Sequence, residues 1–254
     1  MSENSDIESY QGYFGEIDKT AGEHSARQVT AALRKLEEMS LENVPMQYRS
    51  GHLRRNAEYL YVLSNYETMK ERRVEMLENA YRLARQGHTI NPSDFECAKV
   101  LCSTCGRLAE ESSIKKKLDY GFKFKAFLDE AIALNDQDFE LTHMRGRFCY
   151  TVASLSFVER MAAKVIGQIP AVTYKDALQD LLKADELDEG VAENELFVGK
   201  TYLALGDLMN AKKWLLKTTS HEIVCAVEQE HIDEALALLD EKRLKNLKYT
   251  SIPN

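Results

Sequence analysis

Helix breakers are scarce in this chain: its 254 residues include only 12 glycines and 4 prolines. That scarcity argues against many short strands joined by tight turns and favours long helices. Runs of alternating β-branched residues are missing too, and helix formers crowd every segment after about Ser25. No stretch approaches the roughly 18 uncharged apolar residues of a membrane-spanning helix. The start, Met1-Ser2-Glu3-Asn4-Ser5-Asp6, has neither the basic residues nor the apolar core of a signal peptide. A cytoplasmic protein without a transmembrane anchor is expected. Excess positive charge is lacking as well: 41 acidic against 33 basic residues leave a formal charge of −8. This excludes a general nucleic-acid binder, whose footprint is net basic, but not a local basic face.

Catalytic motifs are equally absent. There is no G-x-x-x-x-G-K-[ST] loop and no G-x-G-x-x-G, and His221-Glu222 lacks the second histidine of H-E-x-x-H. Ser113-Ile114-Lys115-Lys116 has the form S-x-x-K without its companion motifs. The six histidines form no ligand cluster. The chain is expected to be no enzyme and to require neither cofactor nor metal. Cys97, Cys102 and Cys105 match part of an iron–sulfur spacing, and Cys102 and Cys105 form a C-x-x-C pair. No strand precedes that pair and no second pair completes a zinc site, so all five cysteines, with Cys149 and Cys225, are expected to be reduced, buried and inert.

What the chain does contain is internal repetition. Ala177 and Ala211, Leu181 and Leu215, and Ala184 and Thr218 are each 34 residues apart, and 34 is the period of the tetratricopeptide repeat. That pattern places glycine at position 8, an aromatic at 11, alanine at 20, a large apolar residue at 24 and alanine at 27. Gly199, Tyr202, Ala211 and Leu215 fill the first four, and Thr218 departs at the last. An earlier unit ends alike, with Ala131 aligned to Ala184 and Gly146 to Gly199, but both pairs are 53 apart. Nineteen extra residues therefore separate the two helices of the middle unit, within a segment containing Glu159 to Ala171, where Gly167 and Pro170 mark a helix end. Thr173 and Asp176 form a capping box for the helix that follows, and Ser93 and Glu96 one for a first, degenerate unit.

The expected fold is therefore all-α: antiparallel helical hairpins of tetratricopeptide type stacked in a short solenoid, with extra helices at both ends. Units are expected near 93–136, 138–189 and 191–219, inside one helical domain over 23–245. Ser25–Met39, Met46–Glu67 and Lys70–Arg85 supply helices before them, and Glu228–Lys245 a terminal cap. Residues 1–22 read as an acidic, disordered tail, although Tyr10, Tyr13 and Phe14 are unusually apolar for one and are candidates to dock; residues 246–254 read as a short basic, flexible tail.

In such repeats the first helix of each pair lines the concave face through positions 2, 5, 9, 12 and 13. The register assigns Glu96, Lys99, Ser103, Gly106 and Arg107 in the first unit and Glu140, His143, Arg147, Tyr150 and Thr151 in the second. The third contributes Glu193, Leu196, Lys200, Leu203 and Ala204. Lys99, Arg107, His143, Arg147 and Lys200, with Tyr150 beside them, predict a basic middle suited to an anionic ligand, either an acidic peptide tail or a phosphate headgroup. A carboxylate clamp of the chaperone-binding kind is disfavoured, since Ser103 stands where asparagine is needed. Lys242, Arg243, Lys245 and Lys248 form a secondary basic tail.

The chain resembles the regulator of microtubule dynamics family. The resemblance rests on Leu141-Thr142-His143-Met144-Arg145-Gly146-Arg147-Phe148-Cys149-Tyr150, Thr173-Tyr174-Lys175-Asp176-Ala177-Leu178, Lys183-Ala184-Asp185-Glu186-Leu187-Asp188 and Leu196-Phe197-Val198-Gly199-Lys200-Thr201-Tyr202-Leu203-Ala204-Leu205. It includes the 19-residue insertion and covers roughly Ser25 to Glu241, and the short, anchor-free form is similar to the nematode founding member. The resemblance implies a tetratricopeptide-like domain, association with microtubules, and a role at spindles and spindle poles in chromosome segregation. Some vertebrate relatives carry a membrane anchor and bind or transfer phospholipid, which implies an anionic phospholipid as an alternative ligand. A third alternative is an adaptor for mitotic regulatory proteins. The family implies no residue-level site.

Overall fold

The computed structural model describes residues 2–22 and 24–247. They are helical, with no strand among the described residues. Contacts divide the expected single domain of 23–245 into two compact units, Met1–Leu134 and Asn135–Asn254.

The first unit contains α1 (Ser2–Ala21), α2 (Ala26–Glu37), α3 (Arg49–Ser64), α4 (Lys70–Ile90), α5 (Phe95–Glu111) and α6 (Ile114–Leu134), with two 3-10 turns between α2 and α3. Its first helix corrects the expectation of a disordered tail. Phe14, Ile17 and Ala21 are buried with Val29, Ala32, Leu33 and Leu36 of α2 and Tyr59 of α3. Arg55 of α3 clamps Asp18 with two parallel hydrogen bonds of 2.6 and 2.7 Å, and its guanidinium lies 4.0 Å from the centre of the Phe14 ring. A bidentate pair beside an aromatic face is the geometry in which arginine holds most strongly. Tyr13 stacks on Tyr48 at 4.4 Å. Tyr13 and Phe14, which looked out of place in a tail, are thus its anchors, while the side chain of Tyr10 lies outside the described residues.

Cys97, Cys102 and Cys105 are buried in this unit and form no disulfide. Burial pushes the thiols of Cys97 and Cys105 up to about 12, and that of Cys102 higher still. Thiols held protonated this way are poor nucleophiles and poor metal ligands. Cys149 is also buried, whereas Cys225 is only partly so. The cap of α5 differs from expectation: Asp94, not Ser93, accepts the hydrogen bond from the Cys97 amide. The 34-residue spacing also fails in this unit. Cys102 and Gly199 are each the eighth residue of their helix, yet 29 residues separate Cys102 from Ala131 against 19 from Gly199 to Thr218. The excess lies in longer helices, α6 running for 21 residues against 11 in the second helix of the last hairpin.

The second unit contains α7 (Phe139–Ser154), α8 (Phe157–Ile166), α9 (Tyr174–Leu187), α10 (Ala192–Leu205), α11 (Leu208–Thr218), α12 (Ala226–Asp240) and the single turn α13 (Lys242–Lys245). Helices α7 and α9 form one hairpin, α10 and α11 the next, and α12 packs on the second. The expected capping box at Thr173 and Asp176 is formed, and a second one, Ser156 with Glu159, opens α8. The insertion in the middle unit is therefore itself a helix. Helix α12 starts 34 residues after α10, which makes the terminal cap the first helix of a further repeat. The cap ends at Asp240, where Glu241 takes an extended backbone before α13.

Two glycines set the hairpin spacing. A Cβ on Gly146 would lie 2.7 Å from Leu181 Cγ, and one on Gly199 would lie 2.9 Å from Leu215. Ala177, Ala184 and Ala211 are fully buried, so small residues line both sides of each close approach. Thr218, the departure from the repeat pattern, is also fully buried and donates its hydroxyl proton to Trp214 O at 3.1 Å. Overpacking at such a contact costs about 1–3 kcal/mol. Gly199→Ala is therefore expected to lower the urea midpoint, whereas Gly121→Ala, in α6 with nothing within 4 Å, is expected to leave it unchanged or raise it. Equal midpoints for Gly199→Ala and wild type would contradict the close approach.

Candidate partner-binding surface

Helices α7 and α10 bring four of the predicted residues together. The Arg147 guanidinium lies 4.6 Å and the Lys200 ammonium 4.5 Å from the centre of the Phe197 ring. Lys200 is also 5.6 Å from the Tyr150 ring, which meets Phe197 edge-on at 5.6 Å. Two cations therefore share one aromatic floor, on the same side of the hairpins, as repeat register demands.

Their charge, however, is answered from within. Glu193, on the first turn of α10, forms an ion pair with Arg147. The same carboxylate lies 3.4 Å from His143 Nε2 and 3.3 Å from His231 Nε2 of α12. Lys200 pairs with Glu234 of α12 at 2.6 Å. His143 is held from its other side, Nδ1 lying 2.9 Å from Asn194 Oδ1, while the Asn194 amide donates to Leu181 O at 3.0 Å. Since Asn194 Oδ1 is the acceptor there, Nδ1 carries a proton. Burial alone would raise the Glu193 carboxyl, but the Arg147 charge and the two histidines hold it well below the usual carboxylate range.

The predicted basic middle is thus an alternating charge network that joins α7, α10 and α12. The first-unit members behave similarly: Arg107 is buried and pairs with Glu110 at 3.0 Å, and Lys99 lies 3.6 Å from Glu96. In the secondary tail, Arg243 pairs with Glu241 and Lys245 with Asp240, Lys242 stands at the start of α13, and Lys248 lies outside the described residues. Glu193 was already on the register's list of face positions. Glu234 and His231 follow Lys200 and Phe197 by 34, so the period, carried one helix further, would have found them.

The inserted segment, whose residues Met161 to Ile169 the phospholipid alternative would set over acyl chains, carries an exposed apolar surface. Helix α8 leaves Phe157, Val158 and Val165 at 80, 74 and 88% exposure, with Met161 and Ile166 about half exposed. Only Ala163 of this helix is buried. Its apolar stripe faces solvent.

The helical hairpins and the glycine-to-leucine approaches define a tetratricopeptide-like helical scaffold. A solved thermophilic TPR protein of Thermus thermophilus has the same fold, with a TM-score of 0.50 and 16% identity over 83% of this chain and 91% of that one. Residues 14–245 match the family described as regulator of microtubule dynamics protein 1-3, and the chain belongs to that family. Regulator of microtubule dynamics protein 1 of Caenorhabditis elegans is 30% identical over 80% of this chain and 90% of its own length. The bovine and human proteins named regulator of microtubule dynamics protein 2 are each 37% identical, but over 48 and 52% of this chain, which is 30 and 34% of their lengths. Among the described residues no helix is long and apolar enough to cross a membrane.

Glu193→Gln tests the network. A carboxyl depressed in the folded state contributes stability that is complete above its unfolded value of 4.5 and disappears as pH falls through the folded value. The variant is expected to be about 1–3 kcal/mol less stable near neutral pH, because Arg147 loses its charged partner. Urea melts in progressively more acidic buffer should show wild type and variant converging; a gap that widened with acidity would contradict the assignment.

Proposed function

We propose that this chain is a microtubule-associated regulatory scaffold of the spindle, acting in chromosome segregation by binding tubulin rather than by catalysis. The supporting observation is the match to the regulator of microtubule dynamics family along residues 14–245, together with the C. elegans relative that this chain covers almost from end to end. On this reading the protein works in the cytoplasm, at the cytoskeleton, spindle and spindle poles, and the natural anionic target is the acidic tail of tubulin. If the face of Arg147, Lys200 and Tyr150 takes that tail, partner carboxylates must displace Glu193 and Glu234 from their ion pairs. Attraction of this kind is screened over roughly 8 Å at physiological ionic strength.

The test is co-sedimentation of the pure chain with microtubules across a salt series, using intact tubulin and tubulin with clipped tails. Pelleting that fades with salt and with clipping is expected. Failure of the pure chain to pellet at low salt, or pelleting indifferent to both changes, would contradict direct binding and leave the adaptor reading, in which mitotic regulatory proteins are the partners.

The exposed apolar face of α8 favours a second reading, a phospholipid-binding or transfer module. Short helices with an apolar and a charged face settle at lipid interfaces. Phospholipid recovered by mass spectrometry from the purified chain would support this reading, and none recovered after incubation with anionic vesicles would exclude it.

A further inference from the structure

Cations that already hold a carboxylate are poor docking points, because a new anion must displace the old one. Two exposed arginines of the first unit are free of that constraint. Arg27 and Arg34 lie on α2, on the side away from Val29, Ala32, Leu33 and Leu36, which are buried in the core. Neither has an ion-pair or hydrogen-bond partner among the described residues. Glu37 and Glu38, a turn beyond Arg34, make no ion pair with it. Arg27 and Arg34 flank Ala26, Thr30 and Ala31 on the open face of α2. The Thr30 hydroxyl donates to Ala26 O at 2.6 Å, so the floor between the arginines is small and has no free donor of its own.

We propose that this face of α2 is a docking surface for an extended acidic peptide, with Arg27 and Arg34 each taking a carboxylate. The proposal rests on the reading of the chain as a binder of acidic tails and moves the contact away from Arg147 and Lys200. Seven helical residues span about 10.5 Å, and a polyproline II segment, which turns once every three residues, covers about 9.3 Å in that turn and keeps side chains three apart on one face. A peptide with acidic side chains three apart therefore reaches both guanidiniums, while Thr30 and Ala31 let its backbone come close. Arginine suits carboxylate because its fork donates two parallel hydrogen bonds. The surface does not fit other anionic partners. Nucleic acid needs a broad basic footprint, which a chain of net charge −8 with glutamates beside the stripe does not present. A membrane surface would want apolar anchors next to the cations, and among the described residues lining this face only Ala26, Thr30 and Ala31 stand beside them.

The experiment is a fluorescence-anisotropy titration of the full chain with a labelled oligo-glutamate peptide at low salt. Wild type is expected to bind, and the double variant R27E/R34E to lose roughly tenfold or more in affinity, as reversal at two exposed charge contacts implies. R72E, which reverses an exposed arginine on α4, is expected to bind like wild type, and R27K/R34K to retain part of the affinity. Circular dichroism confirms that each variant is folded. No binding by wild type, or equal binding by wild type and R27E/R34E, overturns the proposal; a loss in R147E/K200E alone places the contact on the α7–α10 face and overturns it too. Peptide binding lost in R27E/R34E while wild type fails to pellet with microtubules would uphold this surface and sink the microtubule reading.

Discussion

Leu181 stands against the backbone of α7 at Gly146, and Leu215 against α10 at Gly199, in each case where a β-carbon would sit less than 3 Å away. This steric constraint sets how deeply the two helices of each hairpin interlock, and a side chain at either glycine would push them apart. Because both hairpins close in the same manner, their first helices present equivalent residues to the same side. Arg147 and Lys200 reach one phenyl ring for that reason, and the start of α10 brings the Glu193 carboxylate to both α7 and α12. The charge network is a consequence of the packing, not an addition to it.

What could be read from the sequence follows the same division. Positions fixed by sterics recur with the repeat, so Gly146, Gly199, Ala177, Ala211, Leu181 and Leu215 announced themselves by spacing. Capping at Thr173 and Asp176 is local and was equally legible. Contacts between distant segments were not. Nothing local to Asp18 reports Arg55, 37 residues further on, so a helix with a buried aromatic face read as a tail. Ser93 and Asp94 both suit a helix start, and only the backbone decides between them. In the first unit the helices are longer, so a period taken from the last hairpin loses its place there.

The predicted face shows how far register alone carries an argument. It placed His143, Arg147, Tyr150 and Lys200 near one another, set Leu196 and Leu203 on a face although both are buried, and weighed cations without the acids on the adjacent helices. A repeat array makes such compensation natural: each first helix meets the next, and residues one period apart become neighbours. Lys200 with Glu234 is such a pair, 34 residues apart. The consequence for function is that an acidic partner finds the α7–α10 face already occupied by the protein's own carboxylates, while cations elsewhere on the chain remain available.

The claim that this face is internally satisfied is tested most directly by a double-mutant cycle on Arg147 and Glu193. With Arg147→Met, Glu193→Gln and the combined variant compared by urea unfolding, the account predicts a coupling of about 1 kcal/mol or more, in the range seen for contacting charged residues. Additivity within roughly 0.3 kcal/mol would show that the two side chains do not depend on each other, and the neutralised face would have to be abandoned.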